Sequence, residues 1–369
     1  MLSYIIPFLI LILVVVFIHE YGHFYFAKKF GVGVTDFSIG FGKEIFGWND
    51  KSGTRWKICM IPLGGYVKFF GDRNVYSQSD NEKILKQYSK EDQDRLFVLK
   101  PLYQRVLIVF GGPLANFLLA ILIFFSVYTF VGKDFTPAVI NEVQKNSPAM
   151  LAGLKDNDII VSIDNNKVKS IMEVSKFIMM STDEFINFTV NRYDQDLTFK
   201  VKPNIVEGED NLGNKINKRM VGIKLGAYNN EINHVKLSPA KALLYAVNEV
   251  YYVSASSLKY IGSMITGSGD SSQLGGPIRI AKISGQVAEF GILPFISLMA
   301  YISISLGLIN LFPIPMLDGG HLMFYGIEKI LGRPLSQKVQ EGFFRIGLFL
   351  LLSLMFFTTF NDLKDVGLF

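Results

Sequence analysis

The run His19-Glu20-Tyr21-Gly22-His23 gathers three chemically capable groups in five residues, in a chain with four histidines. On a helix, positions i and i+4 fall on one face about a turn apart. Both imidazoles can therefore hold one Zn2+, at about 2.0–2.1 Å each. Glu20 stands beside them, where it can take a proton from a water and pass it onward. The plain alternative is a pair of buried polar helix contacts, with Glu20 snorkelling to a membrane surface. A catalytic zinc needs a third protein ligand and one open position. The segment Asn310-Leu311-Phe312-Pro313-Ile314-Pro315-Met316-Leu317-Asp318-Gly319-Gly320-His321 offers Asp318. Its Pro-x-Pro stops a helix from closing its ladder. The bland role for Asp318 is a cap after a proline turn. His321 competes with it as ligand and ranks below it.

The elements that must position these groups are written in the composition. Of 369 residues, 50% are hydrophobic, 14% aromatic and only 19% charged, against about 25% charged in soluble domains. Mean hydropathy is positive. Disorder, a disulfide scaffold and a collagen-like chain are excluded, and the single Cys59 cannot form an internal disulfide. The net charge of +5 is modest and its basic residues are scattered between apolar runs, so no nucleic acid partner is expected. Four stretches concentrate the apolar residues, at 4–26, 106–131, 290–315 and 343–360. Each approaches the roughly 20 residues that cross a hydrocarbon core. A fifth, 240–265, mixes apolar residues with Lys241, Asn248, Glu249 and Lys259 and reads as an amphipathic helix. The first stretch reads as a retained span, since Met1-Leu2-Ser3-Tyr4 carries no positive side chain and no Ala-x-Ala site follows.

Lysine and arginine near the span ends set the orientation. Lys28, Lys29 and Lys43 follow the first span, Lys90, Arg95, Lys100 and Arg105 precede the second, and Lys329, Arg333 and Lys338 join the third to the fourth. These loops are expected in the cytoplasm, with both termini and the long 132–289 segment outside. The first and third spans then both enter from outside, and His19, His23 and Asp318 meet near the inner face. A charged residue at a span centre costs about 2.5–3.5 kcal/mol, which marks such residues as functional candidates.

Within the outer segment, short apolar runs alternate with turn clusters such as Lys155-Asp156-Asn157-Asp158 and Asp164-Asn165-Asn166, and a helical stretch covers 170–180. That pattern predicts a small α+β module over 136–205. The inner loop has strand-like pieces at 35–39, 54–61 and 66–70, the first two flanking an Asn49-Asp50-Lys51-Ser52-Gly53 turn.

The HExxH run in the first span and Asn-Leu-Phe-Pro-Ile-Pro-Met-Leu-Asp-Gly-Gly in a late one resemble the site-2 protease family of intramembrane zinc metalloproteases. Further matches are Ser38-Ile39-Gly40-Phe41-Gly42, Ile61-Pro62-Leu63-Gly64-Gly65-Tyr66-Val67-Lys68, Gly111-Gly112-Pro113-Leu114-Ala115-Asn116-Phe117 and Gly275-Gly276-Pro277-Ile278. The resemblance implies that His19, His23 and Asp318 bind Zn2+, that Glu20 is the catalytic acid/base, and that Asn310 holds substrate or the oxyanion. It also implies that 35–68 is a membrane-associated β-hairpin offering an edge strand to an unwound substrate, with Gly40 and Gly42 giving close backbone approach. The bland reading of that loop is a plain connecting hairpin. Lys43 stands where the family usually has Pro. The outer module, with 146–154 and Asp158-Ile159-Ile160, resembles a PDZ domain, and Asn157 stands where Gly is usual. It would hold a peptide ligand or serve as a size filter. In the second span, Gly112-Pro113 and Asn116 suggest a kinked helix with an inward amide, close helix packing being the equal alternative.

The fold class expected is thus an α-helical membrane protein with about four transmembrane helices, a cytoplasmic-side membrane-associated β-hairpin and one extracytoplasmic α+β PDZ-like domain. The expected boundaries are 1–33 for the first span, 34–100 for the hairpin loop, 101–132 for the second span and 133–206 for the module. A linker with the amphipathic helix fills 207–289, the third span with Asp318 takes 290–320, an inner loop 321–342, and the fourth span and tail 343–369. The function implied by resemblance is cleavage of single-span membrane substrates, such as anti-sigma factors or remnant signal peptides, in a bacterial inner membrane. One rival is a membrane zincin of the prenyl-peptide type, which would need a downstream Glu ligand where this chain offers Asp318. The other is a PDZ-bearing adaptor with a structural zinc, which would need four protein ligands and no adjacent base.

Overall fold

The computed structural model describes residues 2–71, 88–209, 215–227, 232–267 and 274–365. The parts of the expected hairpin loop, linker and tail at 72–87, 210–214, 228–231, 268–273 and 366–369 lie outside the described residues. Along the chain run α1 (Leu2–Lys29), β1 (Val34–Asn49), β2 (Arg55–Phe69) and α2 (Leu102–Ser126). Then come β3 (Ala138–Val143), β4 (Ile159–Ile163), α3 (Ile171–Met180), β5 (Ile186–Arg192), β6 (Gln195–Val201), β7 (Asn204–Glu209), β8 (Lys215–Met220) and β9 (Ile223–Ala227). The last elements are α4 (Pro239–Ile265), α5 (Pro277–Glu289), α6 (Ile292–Asn310), α7 (Asp318–Leu331) and α8 (Gln337–Asp365). Two compact units emerge, Met1–Ile123 with Gly275–Leu363, and Phe124–Leu274 with Lys364–Phe369.

Four helices are long and apolar enough to cross a membrane: Ser3–Lys29, Leu102–Val131, Ile292–Asn310 and Gln337–Lys364. The third ends at Asn310 rather than 315, because Pro313 and Pro315 cannot donate to a continuing ladder. The fourth begins earlier than its apolar run, on the polar residues Gln337-Lys338-Val339-Gln340-Glu341. Lys28 and Lys29 in the last turn of α1 suit the negative end of its dipole. The chain leaves α1 at Gly31, whose φ of +68 is the left-handed cap, and Val32 N–H donates back to the Ala27 carbonyl at 2.8 Å.

In the first unit, the loop after α1 folds into more strand than its sequence suggests. Residues 34–39 pair with 65–69 on one side (Ser38 with Tyr66) and with 55–58 on the other (Ser38 with Lys57). The 55–58 segment pairs in turn with 46–49, Trp48 opposite Trp56. Two long strands thus bend into four short segments, the fourth, 46–49, being the one the sequence did not announce. Gly40 and Gly42 form the bend of β1, both at φ +87, and Gly64 at φ +124 lies in the bend of β2. An added Cβ at Gly40 would lie 2.7 Å from the Ile61 carbonyl oxygen. The close approach at Gly40 within the hairpin is thus made to β2. The helix α5 also escaped the sequence reading. Pro277 starts it, and the Asp362 carboxylate of α8 accepts from the backbone N–H groups of Gly276, Ile278 and Arg279 at 2.8–3.0 Å.

The second unit carries a sheet of order β9-β3-β4-β5-β6, with the short strand Asn166–Lys167 paired to β4. Val174, Phe177 and Ile178 of α3 bury against Ile140, Ile160, Ile163, Ile186, Phe188 and Val190. Each such side chain contributes about 1.5–3 kcal/mol of transfer free energy. The sheet takes its end strand β9 from beyond residue 206, while among the described residues β7 and β8 pair with each other and with no other strand. Asn157 has φ +68, so it adopts the conformation for which Gly is usual. The buried Asp158 receives Arg192 through both carboxylate oxygens, at 2.6 and 2.7 Å. The amphipathic α4 lies against α3, with Tyr252 and Phe177 rings 5.1 Å apart and Lys176 bonded to Glu249.

The hairpin turn hangs on Asp50. Its carboxylate accepts from the Ser52 and Thr54 backbone N–H groups at 2.8 and 2.9 Å and from the Trp56 indole at 3.1 Å. Burial pushes this carboxyl up, but these bonds and one from the Ser52 hydroxyl outweigh it and hold it well below the usual carboxylate range. A depressed folded pKa stabilises the turn fully above the unfolded value of about 4 and loses that stability as pH falls through the folded value. Amide exchange at Ser52 and Thr54 should thus be unchanged from neutral pH down to about 4 after correction for intrinsic rates, and lose protection only below it. Asp50→Ala should show the unprotected rates at every pH.

Candidate metal centre

One stripe of α2 builds the surroundings of both histidines. Ile108, Gly112 and Asn116 are spaced four apart, so they share a face. The His23 Nδ1 lies 2.9 Å from the Ile108 carbonyl oxygen, and the His19 Nδ1 lies 3.2 Å from the Asn116 amide nitrogen. Gly112 supplies the room between them: an added Cβ would sit 2.3 Å from His23 Nε2 and 2.8 Å from His19 Cε1. One residue away the backbones themselves touch, since an added Cβ at Gly22 would meet the Gly111 carbonyl oxygen at 2.1 Å.

The third group arrives from the start of α7. After α6 ends, the chain folds back so tightly that Gly319 and Gly320 face the carbonyls of Leu311, Phe312 and Ile314, where added Cβ atoms would lie 2.2–2.5 Å away. Met316 takes φ +92, a conformation that costs a non-glycine residue about 1–3 kcal/mol. Pro315 is backed by Gly347 of α8, whose added Cβ would strike the Pro315 carbonyl oxygen. Farther along, Arg105 of α2 grips Glu328 of α7 with both ends, at 3.1 and 2.5 Å, and lies over the Tyr325 ring at 5.1 Å. Removing one partner of such a buried pair costs about 3–5 kcal/mol.

The result is a triangle. His19 Nε2 and His23 Nε2 are 3.3 Å apart, and Asp318 Oδ2 is 3.2 Å from the first and 3.5 Å from the second. A tetrahedral zinc with ligands at about 2.0–2.1 Å holds neighbouring ligand atoms about 3.3–3.4 Å apart. The fit is supported by Asp318 Oδ2 itself, a buried atom that accepts no hydrogen bond although both imidazoles are close. It and the two imidazole nitrogens lie close enough together to be reached by one ion. Among the described residues these three form the group able to hold a metal ion.

Glu20 is buried beside them, with β2 directly above: an added Cβ at Gly65 would come 2.9 Å from its Cγ. His321, three residues after Asp318, turns to Phe344 of α8, ring centroids 5.6 Å apart, and stands outside the triangle. Asn310 ends α6, half-buried, and its side chain makes no hydrogen bond among the described residues. Gly40 and Gly42 lie in the bend of β1. The Ile108 carbonyl and the Arg105–Glu328 pair were missed in the sequence reading, which singled out Gly112 and Asn116 in the second span but not the histidines they face.

The model of Peptidase family M50 matches residues 7–354. The chain belongs to peptidase family M50. This M50 peptidase is a zinc metalloprotease and a membrane protein. It is 42% identical over 364 residues to a protein of Agrobacterium fabrum, covering 99% of this chain and 96% of that one. It is 38% identical over 365 residues to one of Mesorhizobium japonicum, covering 98% and 99%. Both relatives bear the name "putative zinc metalloprotease". Metalloprotease MmpA of Caulobacter vibrioides is 33% identical over 377 residues, covering 96% of this chain and 94% of that one.

Two outcomes follow for this M50 peptidase. Gly112→Ala should preserve α2, alanine being the better helix former, yet push both imidazoles aside and lower zinc affinity by about 10-fold or more, read by chelator competition. Asp318→Asn should lower the zinc content of the purified protein measured by atomic emission. Unchanged content would transfer the third position to His321.

Proposed function

We propose that this M50 peptidase is an intramembrane endoprotease that hydrolyses peptide bonds of single-span membrane proteins, with anti-sigma factors and remnant signal peptides as the substrates its resemblance suggests. The observation that carries the reading is the triangle of His19, His23 and Asp318 with Glu20 buried beside it, the two histidines and Glu20 lying on a helix apolar enough to cross a membrane.

In this reading His19, His23 and Asp318 hold zinc, which when bound supplies Lewis acidity for water and the scissile carbonyl. Glu20 takes the proton of the attacking water and returns it to the departing amine as the C–N bond breaks. Burial keeps bulk water from competing for that proton. Asn310, with its amide uncommitted, holds the substrate or the developing oxyanion.

A helical substrate hides its peptide bonds in its own ladder, so it must unwind before cleavage. Among the described residues, segment 65–69 of β2 pairs with 34–39 on one side only, and it runs past Glu20. Strand addition there would satisfy the unwound backbone and hold it extended. Exposed Ile45, Phe46 and Met60 on the same hairpin suit contact with lipid. By the distribution of Lys and Arg, the hairpin faces the cytoplasm of a bacterial inner membrane and the α+β module lies outside. We read that module as PDZ-like, holding a peptide end at its sheet edge or excluding substrates with bulky outer domains.

Glu20→Gln should leave one zinc bound per chain and lower cleavage of a fluorescent model span in detergent by at least about 10³-fold, in keeping with loss of a general acid/base and its charge. Undiminished cleavage would sink the assignment of Glu20.

A further inference from the structure

We propose that Asn116 is a positioning residue for His19: its carboxamide oxygen accepts the proton on Nδ1 and so leaves Nε2 as the lone pair turned to Asp318 and zinc. The inference rests on the zinc-site reading above and adds what fixes the tautomer of its first ligand.

His23 shows how the arrangement works. Its Nδ1 is 2.9 Å from the Ile108 carbonyl oxygen. A carbonyl can only accept, so Nδ1 carries a proton, and in the neutral imidazole that a metal binds Nε2 then carries the lone pair. His19 must reach the same state for its Nε2, 3.2 Å from Asp318 Oδ2, to serve as a ligand. That requires an acceptor at Nδ1. The group facing Nδ1 is the Asn116 carboxamide, wholly buried, with its nitrogen at 3.2 Å. Its oxygen, on the far side of the same plane, is buried without a hydrogen-bond partner.

The two ends of a carboxamide have nearly the same shape, and a half-turn exchanges them within one volume. With nitrogen toward His19, Nδ1 must be the acceptor. The imidazole proton then sits on Nε2, aimed into the triangle where an ion needs electron pairs. With oxygen toward His19, both histidines present Nε2 alike. The exchange moves the unpaired end of the amide from oxygen to nitrogen, and the histidine decides between them, because one orientation alone lets it bind metal. Asn116 is itself held in register. Its backbone carbonyl accepts from the Ser303 hydroxyl of α6 at 2.9 Å, and its Cβ would lie 3.2 Å from a Cβ added at Gly307. Helix α6 thus steadies the residue that orients a ligand on α1. Partners of this kind typically change metal affinity 10–100-fold when removed.

The test uses the full-length protein in detergent. In its zinc-loaded form labelled with 15N-histidine, His19 Nδ1 should resonate as a protonated nitrogen, as His23 Nδ1 does; an unprotonated His19 Nδ1 overturns the proposal, and this arm needs no variant to fold. In chelator competition, Asn116→Leu, which keeps the shape and removes the acceptor, should weaken zinc binding about 10–100-fold, while Asn116→Asp should stay within about 3-fold of the wild type or bind more tightly. Equal losses in both variants, or none in Asn116→Leu, would also overturn it. His19→Ala separates the two levels. If it binds zinc as tightly as the wild type, the ligand assignment falls and this inference with it. If it loses zinc while the Asn116 arms fail, the ligand assignment stands alone.

Discussion

The proposed zinc site needs three electron pairs to converge on one point, and the packing of the first unit suits that requirement. Two of them come free with helical periodicity, since His19 and His23 are one turn apart. The third must be delivered by residue 318 to within 3.2–3.5 Å of them. Backbones are brought closer than side chains would permit: Gly22 against Gly111, Gly112 under the imidazoles, Gly319 and Gly320 under the fold-back of 311–317. A methyl group at any of these places would open the site by more than the tolerance of a metal–ligand bond. The strained φ of Met316 belongs to the same tightness.

The chemistry was the most legible part of the sequence, because it rests on residue types that are expensive in apolar surroundings. A Glu between two His in a 28-residue apolar helix has few reasons to be there. The long spans were equally plain, since length and hydropathy leave little else. What stayed hidden depends on groups far apart in the chain. The fourth hairpin segment exists because Gly40 and Gly42 turn β1 back beside 55–58, and a turn made by positive φ has no periodicity to display. Strand β9 is five residues long and acquires its meaning only from pairing with β3. Helix α5 starts under a carboxylate that lies 86 residues later in the chain. Asn116 was visible as an inward amide, but not the ring it faces.

The two units reach order by different means. The second is conventional, an apolar layer between a sheet and α3, with the Asp158–Arg192 pair fully hydrogen-bonded inside. The first buries polar groups whose partners are themselves a backbone carbonyl, an amide and a bidentate ion pair, while Asp318 Oδ2 and the Asn116 oxygen are buried without a hydrogen-bond partner. Low dielectric surroundings make each such bond stronger and each missing one dearer. The two unanswered oxygens at the triangle are therefore the costly ones, and a bound cation with a turned Asn116 amide would relieve both.

The distance in sequence between the ligands has a consequence for synthesis. The two histidines and their neighbouring acid leave the ribosome with the first 23 residues, whereas Asp318 and the Glu328 that seats its helix follow some three hundred residues later, at about 5–20 residues per second. Until then the nascent chain owns two of three ligands and lacks the clamp on the third. A prematurely ended product is in the same position, since every chain stopped before residue 318 carries Glu20 and only two of the three residues proposed to hold zinc. On the proposed zinc reading, hydrolytic competence is thus acquired only after residue 318 has been added.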